Sequence, residues 1–572
     1  MLASATARQF CPPQLDCAAW EQLQPLYREL QQRPLHDIRG LQQWLKDWGE
    51  LSSVIDEYGT RCYIEHACHT DDPDVELAYL HFVEQIEPKV TPLDFELKRR
   101  FVNSPLNHEL SGPRFEVLLR GWHADIELFR PKNIPLQTEL TKLNSEYDKL
   151  IGAMLVDYKG ELHTLQQLAR FQEEPDRAVR QETWEHSAQR RLNDQDQIDG
   201  LFDRMFDLRV QIAQNAGKKN FRDWAWQAKN RFDYTPQQCI EFADAIEQVC
   251  IPRVAALDER RRQHLGVDQL RPWDESVDPL GRPPLRPFDA DDVSGLLQGC
   301  TTILHRIGAE LGERFATLKY RHNLDLDSRK GKRAGGFQAS LEESGEPFIF
   351  MNAAGVHRDV ETLLHEAGHA FHFVRSLPEP LVFLRRAPLE FCEVASMTLE
   401  LLSVDKLDVF YPDPDQLARA QRNLYEGIIR FFPWMAVIDG YQHWLYTHPQ
   451  HTRIQRHRAW IGLLSRFQSS VVDWSGYEAA RTSLWHRQGH LFHAPFYYVE
   501  YGIAQLGALQ LWQKYRNNPQ AALADFHQAL ALGGTRPLPQ LFDAAGIQFD
   551  FTLSTLEPLI AILQDEIDQL PD

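Results

Sequence analysis

The chain has 572 residues, of which 43% are hydrophobic and 25% are charged, so a large folded body is expected and extensive disorder is not. Its net charge of −20 argues against nucleic acid as a partner, because phosphate binding requires a basic surface. No apolar run reaches the roughly 18 residues of a membrane span, no signal peptide is recognisable and the eight cysteines are sparse, which together predict a cytoplasmic protein with reduced thiols.

Apolar residues recur three and four positions apart through most of the chain, which predicts a mainly α-helical fold. Several amphipathic helices are expected from about 20 to 130, and helices return from 166 to 265. Between these regions, residues 153–165 have the pattern of a small hairpin that turns at Lys159 and Gly160. Five prolines between Leu270 and Pro287 predict an irregular excursion between helical parts.

A second hairpin is predicted from residues 335–341 and 347–352, which flank a turn at 342–346. An edge strand of such a hairpin can bind an extended peptide by strand addition. Gly335 and Gly336 would let another backbone approach closely, and with Phe337 they are the candidate substrate-binding residues of this strand. The alternative is a plain connecting hairpin.

Residues 365–369 read HEAGH, an instance of the HExxH pattern. Two histidines four residues apart on a helix point the same way, about 6 Å apart along the axis, so both imidazoles can bind one zinc ion. On a helical projection of residues 360–374, His365 and His369 lie opposite an apolar face, and Glu366 flanks the histidine face. The pattern therefore predicts a zinc hydrolase in which Glu366 acts as a base on a metal-bound water.

A third protein ligand is required, and two nearby residues are poor candidates for it. His372 would lie about 10.5 Å along the helix from His365, whereas ligands of one tetrahedral zinc ion lie about 3–3.5 Å apart. Arg375 occupies the position at which a metzincin has its third histidine, so that family is excluded. The ligand is therefore expected from a following helix.

The apolar segment from 388 to 402 is a good source of that ligand. Glu390, Glu393 and Glu400 form one stripe of a predicted helix, and carboxylates are costly to bury there unless they are paired or bound to metal. Glu393 is central in the stripe and is the preferred ligand, with Glu390 as its competitor. Glu400 is expected to orient a ligand histidine.

Together these motifs resemble the oligoendopeptidase F branch of the thimet oligopeptidase-like metallopeptidases. The likeness runs from about 130 to about 530 and rests on VETLLHEAGHAFH at 360–372, EVASMTLE at 393–400, GKRAGGF at 331–337 and HLFHAPFYYVEY at 490–501. It implies a mainly α, elongated zincin-type body with a deep substrate channel and a small β-sheet beside the HExxH helix. The chain is predicted to divide into an N-terminal helical part over 1–200 and a catalytic part over 201–572, with its active-site core at about 331–505.

The resemblance also assigns roles to the polar residues of these motifs. One zinc ion per chain would be held by the two histidines of the motif and the downstream glutamate, which correspond to His365, His369 and Glu393. The glutamate of the motif, Glu366, would be the general base.

A histidine and tyrosines of the C-terminal segment would line the cleft and stabilise the transition state. The best matches are His490, Tyr498 and Tyr501. Tyr497 is a candidate substrate contact, and Tyr497 and His493 are also plausible in the transition-state role. Because the tyrosines follow a proline on a predicted helix, they are not all expected to face the cleft.

The sequence thus predicts a zinc-dependent endopeptidase that hydrolyses internal bonds of short, unstructured peptides. A zinc carboxypeptidase of similar helical fold is the enzymatic alternative, and it would need a cationic pocket for the terminal carboxylate of its substrate. A non-catalytic peptide-binding relative is the other alternative, and the intact Glu366 argues against it. Short peptides are the expected partners, and neither nucleic acid nor a membrane is.

Overall fold

The computed structural model describes residues 8–571, and helices account for most of them, which confirms the predicted mainly α-helical fold. The first helices are α1 (Trp20–Gln32), α2 (Ile38–Cys68), α3 (Pro73–His81), α4 (Glu87–Val102), α5 (Pro113–Leu128) and α6 (Ile134–Gly152). A core rich in tryptophan joins them to a segment much later in the chain. The ring of Trp48 in α2 lies 5.0 Å from that of Trp122 and 4.6 Å from that of Phe383.

The hairpin predicted at 153–165 is present, with β1 (Leu155–Tyr158) antiparallel to β2 (Glu161–Thr164). Lys159 and Gly160 form its turn with φ angles of 56° and 86°. The helices that follow are α7 (Leu165–Ala169), α8 (Arg177–Asn193), α9 (Gln195–Asn215), α10 (Phe221–Ala228), α11 (Pro236–Leu265), α12 (Ser294–Ile307) and α13 (Ala309–Tyr320). The proline-rich stretch between α11 and α12 is irregular, as predicted, with a short 3₁₀ turn at Pro272–Asp274.

The second predicted hairpin is present as part of a three-stranded sheet. Its strands are β3 (Leu324–Asp327), β4 (Phe337–Leu341) and β5 (Glu346–Ala353). The central β5 pairs antiparallel with β4 and parallel with β3. The sequence does not predict β3, because four residues are too short a pattern to indicate a strand. Within residues 8–571, β4 has a strand partner on one side only, so it is an edge strand of this sheet.

A buried lysine fixes the loop that leads into β4. The ammonium group of Lys332 donates to the Asp325 carboxylate at 2.8 Å and to the carbonyl oxygens of Asp327 and Met351, both at 2.7 Å. Burial lowers the pKa of Lys332, and the opposing charge of Asp325 counteracts that effect. Because the acceptors belong to β3 and β5, the lysine ties this loop to both strands.

After the sheet the chain is helical again. The HExxH segment and the apolar glutamate segment each form one helix, as predicted. The helices are α14 (His357–Ser376), α15 (Leu389–Ser403), α16 (Pro414–Thr447), α17 (Arg453–Phe467), α18 (Glu478–Thr482), α19 (His490–His493), α20 (Val499–Asn517), α21 (Pro519–Ala531), α22 (Leu538–Ala544) and α23 (Leu553–Gln569). In the described part of the chain, no helix combines the length and the apolar character needed to cross a membrane.

One large apolar core extends from α6 to α23 and contains Leu143 and Ile567 among its buried members. It has residues on both sides of position 200, and the division placed there from the sequence stays a prediction. Within this core, α15 lies between α14 and α20, and nearly all of its side chains are buried. The HExxH helix and the glutamate helix are therefore anchored by the same core.

Small residues allow α15 to approach both of its neighbours closely. A Cβ atom at Gly368 in α14 would lie 2.5 Å from the Cα atom of Ser396 and 2.8 Å from the carbonyl oxygen of Ala395. On the side of α20, a Cβ atom at Gly507 would lie 3.0 Å from a methyl group of Val394. The contact at Gly368 is made to the backbone of α15, which cannot move aside as a side chain can.

We expect Gly368→Ala to force α14 and α15 apart. The added methyl group overlaps backbone atoms, so the free energy of unfolding should fall by about 1–3 kcal/mol despite the better helix propensity of alanine. The matched control is Gly462→Ala in α17, where an added Cβ meets nothing within 4 Å. That variant should be more stable by about 0.5–1 kcal/mol. Equal stability of the two variants in chemical denaturation would contradict the proposed contact.

Candidate active site

The HExxH helix and the glutamate helix bring three potential metal ligands together. The Nε2 atoms of His365 and His369 in α14 each lie 3.3 Å from Oε2 of Glu393 in α15. The ligand atoms of the three residues all lie within 4.8 Å of one another. Ligands of a tetrahedral zinc ion, with bonds of about 2.0–2.2 Å, are separated by about 3.3–3.5 Å. The donor set and its spacing therefore fit a zinc ion.

Neighbouring side chains orient these ligands. The Glu400 carboxylate lies 2.6 Å from Nδ1 of His365. A hydrogen on Nδ1 that is directed at Glu400 leaves Nε2, the ring atom beside Glu393, as the one that would bind a metal ion in place of a proton. Glu400 lies one helical turn beyond Met397, on the same face of α15 as Glu393. Its contact with His365 is consistent with the orienting role predicted for it.

The Glu393 carboxylate is held by two hydroxyl groups as well as by the histidines. Tyr497 donates to its Oε1 at 2.5 Å, and Ser396 donates to its Oε2 at 3.1 Å. Burial alone would raise the pKa of Glu393, but the charges and hydrogen bonds of His369 and His365 outweigh it and hold that pKa well below its usual value. Glu393 is therefore an anion in a fixed orientation.

Glu366 has a different environment, although it lies next to a ligand histidine. Its side chain is 5% exposed, and its Oε2 atom has no hydrogen-bond partner among the described residues. Burial raises its pKa above the ordinary value for glutamate. A Cβ atom at Gly336 would lie 3.3 Å from its Oε1, so the backbone before β4 runs directly beside this carboxyl group.

A chain of hydrogen bonds sets the orientation of His490 and Tyr501. The indole of Trp434 donates to Oε1 of Gln488 at 3.0 Å, so the amide nitrogen of Gln488 faces Nδ1 of His490, at 2.8 Å. Burial lowers the pKa of His490 to about 4, so the ring is neutral at pH 7. Its remaining hydrogen is then on Nε2, which lies 3.1 Å from the hydroxyl of Tyr501. Tyr501 accepts that bond and keeps its own hydrogen for another acceptor.

The tyrosine segment differs from the predicted helix. Helix α20 begins at Val499, and Phe496 has a φ of 61°, in the left-handed region that non-glycine residues rarely adopt. Tyr497 and Tyr498 therefore precede the helix instead of lying on it, and Tyr497 and Tyr501 both reach the ligand cluster. The ring of Tyr498 lies 5.1 Å from that of His490, and burial raises the pKa of Tyr498 to about 12.

The alternative residues considered from the sequence have other partners. Glu390 accepts a hydrogen bond from Tyr234 at 2.5 Å, away from the ligand cluster. His372 is buried, which lowers its pKa to about 3, and its ring faces Phe391. His493 lies 3.0 Å from the Asp148 carboxylate.

The candidate substrate-binding residues lie where β4 begins. Gly335 has a φ of 97°, and open space surrounds the position of an added Cβ there. The ring of Phe337 stacks on Phe350, with 4.8 Å between ring centroids. The side chain of Phe337 thus packs within the fold, and only its backbone is available to a peptide at the edge of the sheet. Gly336 is the member of this group nearest to Glu366.

Three further residues of the site were not predicted from the sequence. Ser396 holds Glu393, Gln488 orients His490, and the Lys229 ammonium group lies 5.2 Å from the centre of the Tyr497 ring. The position of Ser396, three residues after Glu393 on a helix, was a usable signal. Lys229 lies in a distant segment, so the sequence contains no local pattern that connects it to the site.

Two protein-family models match this chain. The model of peptidase family M3 matches residues 170–279 and 313–558, a range that includes the ligand cluster and the tyrosine segment. The model of the peptidase M3 N-terminal domain matches residues 14–129. Among curated proteins, the oligoendopeptidase F homolog of Borreliella burgdorferi is 23% identical over 260 residues, and the chain spans 42% of the length of that relative.

Solved structures resemble the chain along nearly its whole length. PZ peptidase A bound to an inhibitor is 27% identical with a TM-score of 0.92, covering 98% of this chain and 99% of that one. A protein provisionally named oligoendopeptidase F is 28% identical with the same TM-score and coverage. A similarly named protein of Bacillus anthracis strain Ames is 24% identical with a TM-score of 0.88 and covers 98% of both chains, which supports the fold alone.

We expect Glu393→Ala to lose the metal ion of this cluster, and so to contain one ion per chain fewer than the wild-type protein, because the two histidines alone would leave it with too few protein ligands. Metal content per chain, measured by elemental analysis after dialysis, checks this. The matched control is Glu390→Gln, one turn earlier in the same helix, which can still accept the bond from Tyr234 and should keep full occupancy. Retention of metal by Glu393→Ala together with its loss from Glu390→Gln would move the ligand to Glu390.

Proposed function

The chain belongs to peptidase family M3, and from that premise we propose that it is a zinc-dependent endopeptidase that cleaves internal bonds of short, unstructured peptides. The resemblance to oligoendopeptidase F-like metallopeptidases is confirmed by the same matches. One observation carries the proposal. The buried carboxyl group of Glu366 has one oxygen, Oε2, without a hydrogen-bond partner in residues 8–571, and it lies beside a cluster of two imidazoles and a carboxylate that has the spacing of zinc ligands.

The chemistry requires a nucleophile, a base and stabilisation of negative charge. Zinc held by His365, His369 and Glu393 would lower the pKa of a coordinated water towards about 7 and polarise the substrate carbonyl. Glu366 would accept a proton from the attacking water and deliver it to the leaving amine. Its lack of other partners and its raised pKa support this role, because the base must release the proton again within each turnover.

Tyr501 is the best-supported donor to the oxyanion that forms in the transition state. It accepts the bond from His490, so its own hydrogen remains available to a substrate oxygen. Burial and the nearby charge of Glu393 raise its pKa well above the ordinary value, so the hydroxyl remains protonated at neutral pH. Such a donor is worth about 3 kcal/mol in comparable sites. The ring of Tyr501 lies 6.5 Å from that of His365, at the edge of the ligand cluster.

The substrate would lie along the edge of β4. The backbone at Gly336 passes next to Glu366, so a peptide paired with this strand would have its scissile bond near the base. The base and the carboxylate ligand are 5% and 1% exposed, which supports an unfolded chain as substrate and argues against a folded protein. Pairing through the backbone suits an endopeptidase, since it does not require a terminal carboxylate.

We predict that Glu366→Gln keeps its metal and loses nearly all hydrolysis, since the amide matches the carboxylate in shape but cannot accept the proton. The test uses one peptide with a free C-terminus and the same peptide amidated, with products identified by mass spectrometry. The wild-type protein should cut both peptides at the same internal bond, and a chelator should abolish cleavage.

Three results would contradict the proposal in different ways. Cleavage of the free peptide alone, with loss of its last residue, would indicate a carboxypeptidase. Appreciable turnover by metal-loaded Glu366→Gln would reject the general-base role while leaving the metal site intact. Absence of hydrolysis by the metal-loaded wild-type protein, for any member of a mixed peptide pool, would favour a non-catalytic peptide-binding protein.

Two tyrosine substitutions should have separable effects. Tyr501→Phe removes the donor to the oxyanion, so kcat should fall by about 100-fold with metal content unchanged. Tyr497→Phe removes the hydrogen bond to Glu393, so metal affinity should fall by about 10–100-fold. Metal titration and steady-state kinetics on both variants distinguish these effects. A loss of metal from Tyr501→Phe would contradict the oxyanion role of Tyr501. An unchanged metal affinity in Tyr497→Phe would contradict the role of Tyr497 in holding Glu393.

A further inference from the structure

A second cluster of potential metal ligands lies where α11 contacts α16. Cys239 in the first turn of α11 meets Asp439 and His443, which are one turn apart in α16. Their ligand atoms all lie within 4.8 Å of one another. Cys239 is 2% exposed, Asp439 is 4% exposed and His443 is 6% exposed. None of the three belongs to the HExxH cluster, and none has a part in the proposed hydrolysis.

The polar atoms of this cluster are poorly satisfied by the protein. Oδ1 of Asp439 and both ring nitrogens of His443 have no hydrogen-bond partner of acceptable geometry among the described residues. Oδ2 of Asp439 lies 3.1 Å from Nε2 of His443. The rings of Trp226 and Phe496 pack against the imidazole, at 5.7 Å and 5.5 Å between centroids. Buried polar groups in folded proteins normally have partners, so these atoms indicate a ligand.

We propose that Cys239, Asp439 and His443 bind a second zinc ion that ties α11 to α16. A thiolate and an imidazole together favour zinc over the hard cations calcium and magnesium, which prefer oxygen ligands. One thiolate, one carboxylate and one neutral imidazole also balance the two positive charges of the ion, which a buried site requires.

The Cys239 thiol is expected to lose its proton only when a metal ion binds. Burial and the charge of Asp439 raise the pKa of the Cys239 thiol well above its ordinary value, so without a metal the sulfur keeps its proton. Coordination would replace that proton with the ion, and binding would release it to solvent.

The second site lies beneath the turn that carries the active-site tyrosines. Gln442, next to His443 in α16, accepts a hydrogen bond from the backbone N–H of Phe496. Phe496 has the left-handed φ of 61°, and the next residue, Tyr497, donates to Glu393. An ion that fixes this turn of α16 would thus hold the surface on which the tyrosine segment rests, without contact to the substrate.

Counting metal per chain tests the proposal. The wild-type protein, purified without chelator, should contain two zinc ions per chain, and Cys239→Ser should contain one. The matched control is Cys250→Ser, on the same helix and also fully buried, which should still contain two. Glu393→Ala should contain one ion, held by the second site, so failure at one site is distinguishable from failure at the other.

Cobalt provides a spectroscopic test whose main measurement is made on the wild-type protein. Wild-type protein reconstituted with Co²⁺ should show a thiolate-to-cobalt charge-transfer band in the near ultraviolet, because the HExxH cluster contains no cysteine and the second site does. The band should persist in Glu393→Ala and disappear in Cys239→Ser. A metal-free Glu393→Ala protein, or a cobalt protein without the thiolate band, would overturn the proposal.

Discussion

The contact between Gly368 and the backbone of Ser396 is the constraint on which the site depends. The HExxH helix and the glutamate helix approach so closely there that a single added Cβ would lie 2.5 Å from a main-chain atom. This separation places the Glu393 carboxylate 3.3 Å from both histidines. Glycine within HEAGH lowers helix propensity by about 1 kcal/mol relative to alanine, and the packing of two ligand-bearing helices is the physical reason to have it there.

Around this helix crossing, a series of side chains fixes the site, and each one fixes the position of the next. Tyr497 holds Glu393, and its position depends on the strained backbone of Phe496. Two side chains maintain that backbone: Arg231 donates to the carbonyl oxygen of Phe496, and Gln442 accepts from its N–H. A left-handed non-glycine residue costs of order 1–3 kcal/mol, so the surrounding packing must supply at least that much. This backbone conformation fixes Tyr497 against Glu393 just before α20 begins, and Tyr501 follows in the first turn of that helix.

The residues of the cluster could be predicted from the sequence because their geometry is local. The rise of an α-helix relates His365 to His369, and an apolar helix makes each buried glutamate conspicuous, so the sequence singles out Glu393 and Glu400, and both lie against these histidines. The predicted helix over the tyrosines was wrong at its start, because side chains from distant segments, Arg231 and Gln442, hold the backbone of Phe496 at a left-handed φ. The short parallel strand β3 and the pair formed by Cys239 with Asp439 also depend on contacts between distant segments, which no local pattern contains.

The two buried carboxyl groups of the site, Glu393 and Glu366, have different electrostatic environments. Glu393 is surrounded by the histidines, Ser396 and Tyr497, and its pKa lies well below the usual value. Glu366 is also buried, but its Oε2 atom has no hydrogen-bond partner in the part of the chain that the structure describes, and burial raises its pKa. When the environments of two neighbouring carboxyl groups shift their pKa values in opposite directions, the group with the lowered pKa is suited to bind a cation. The group with the raised pKa is suited to transfer protons. Because the raised group must be ionised to act as a base, hydrolysis should fail on the acidic side, as the pH drops through the raised pKa of Glu366, while Glu393 remains an anion.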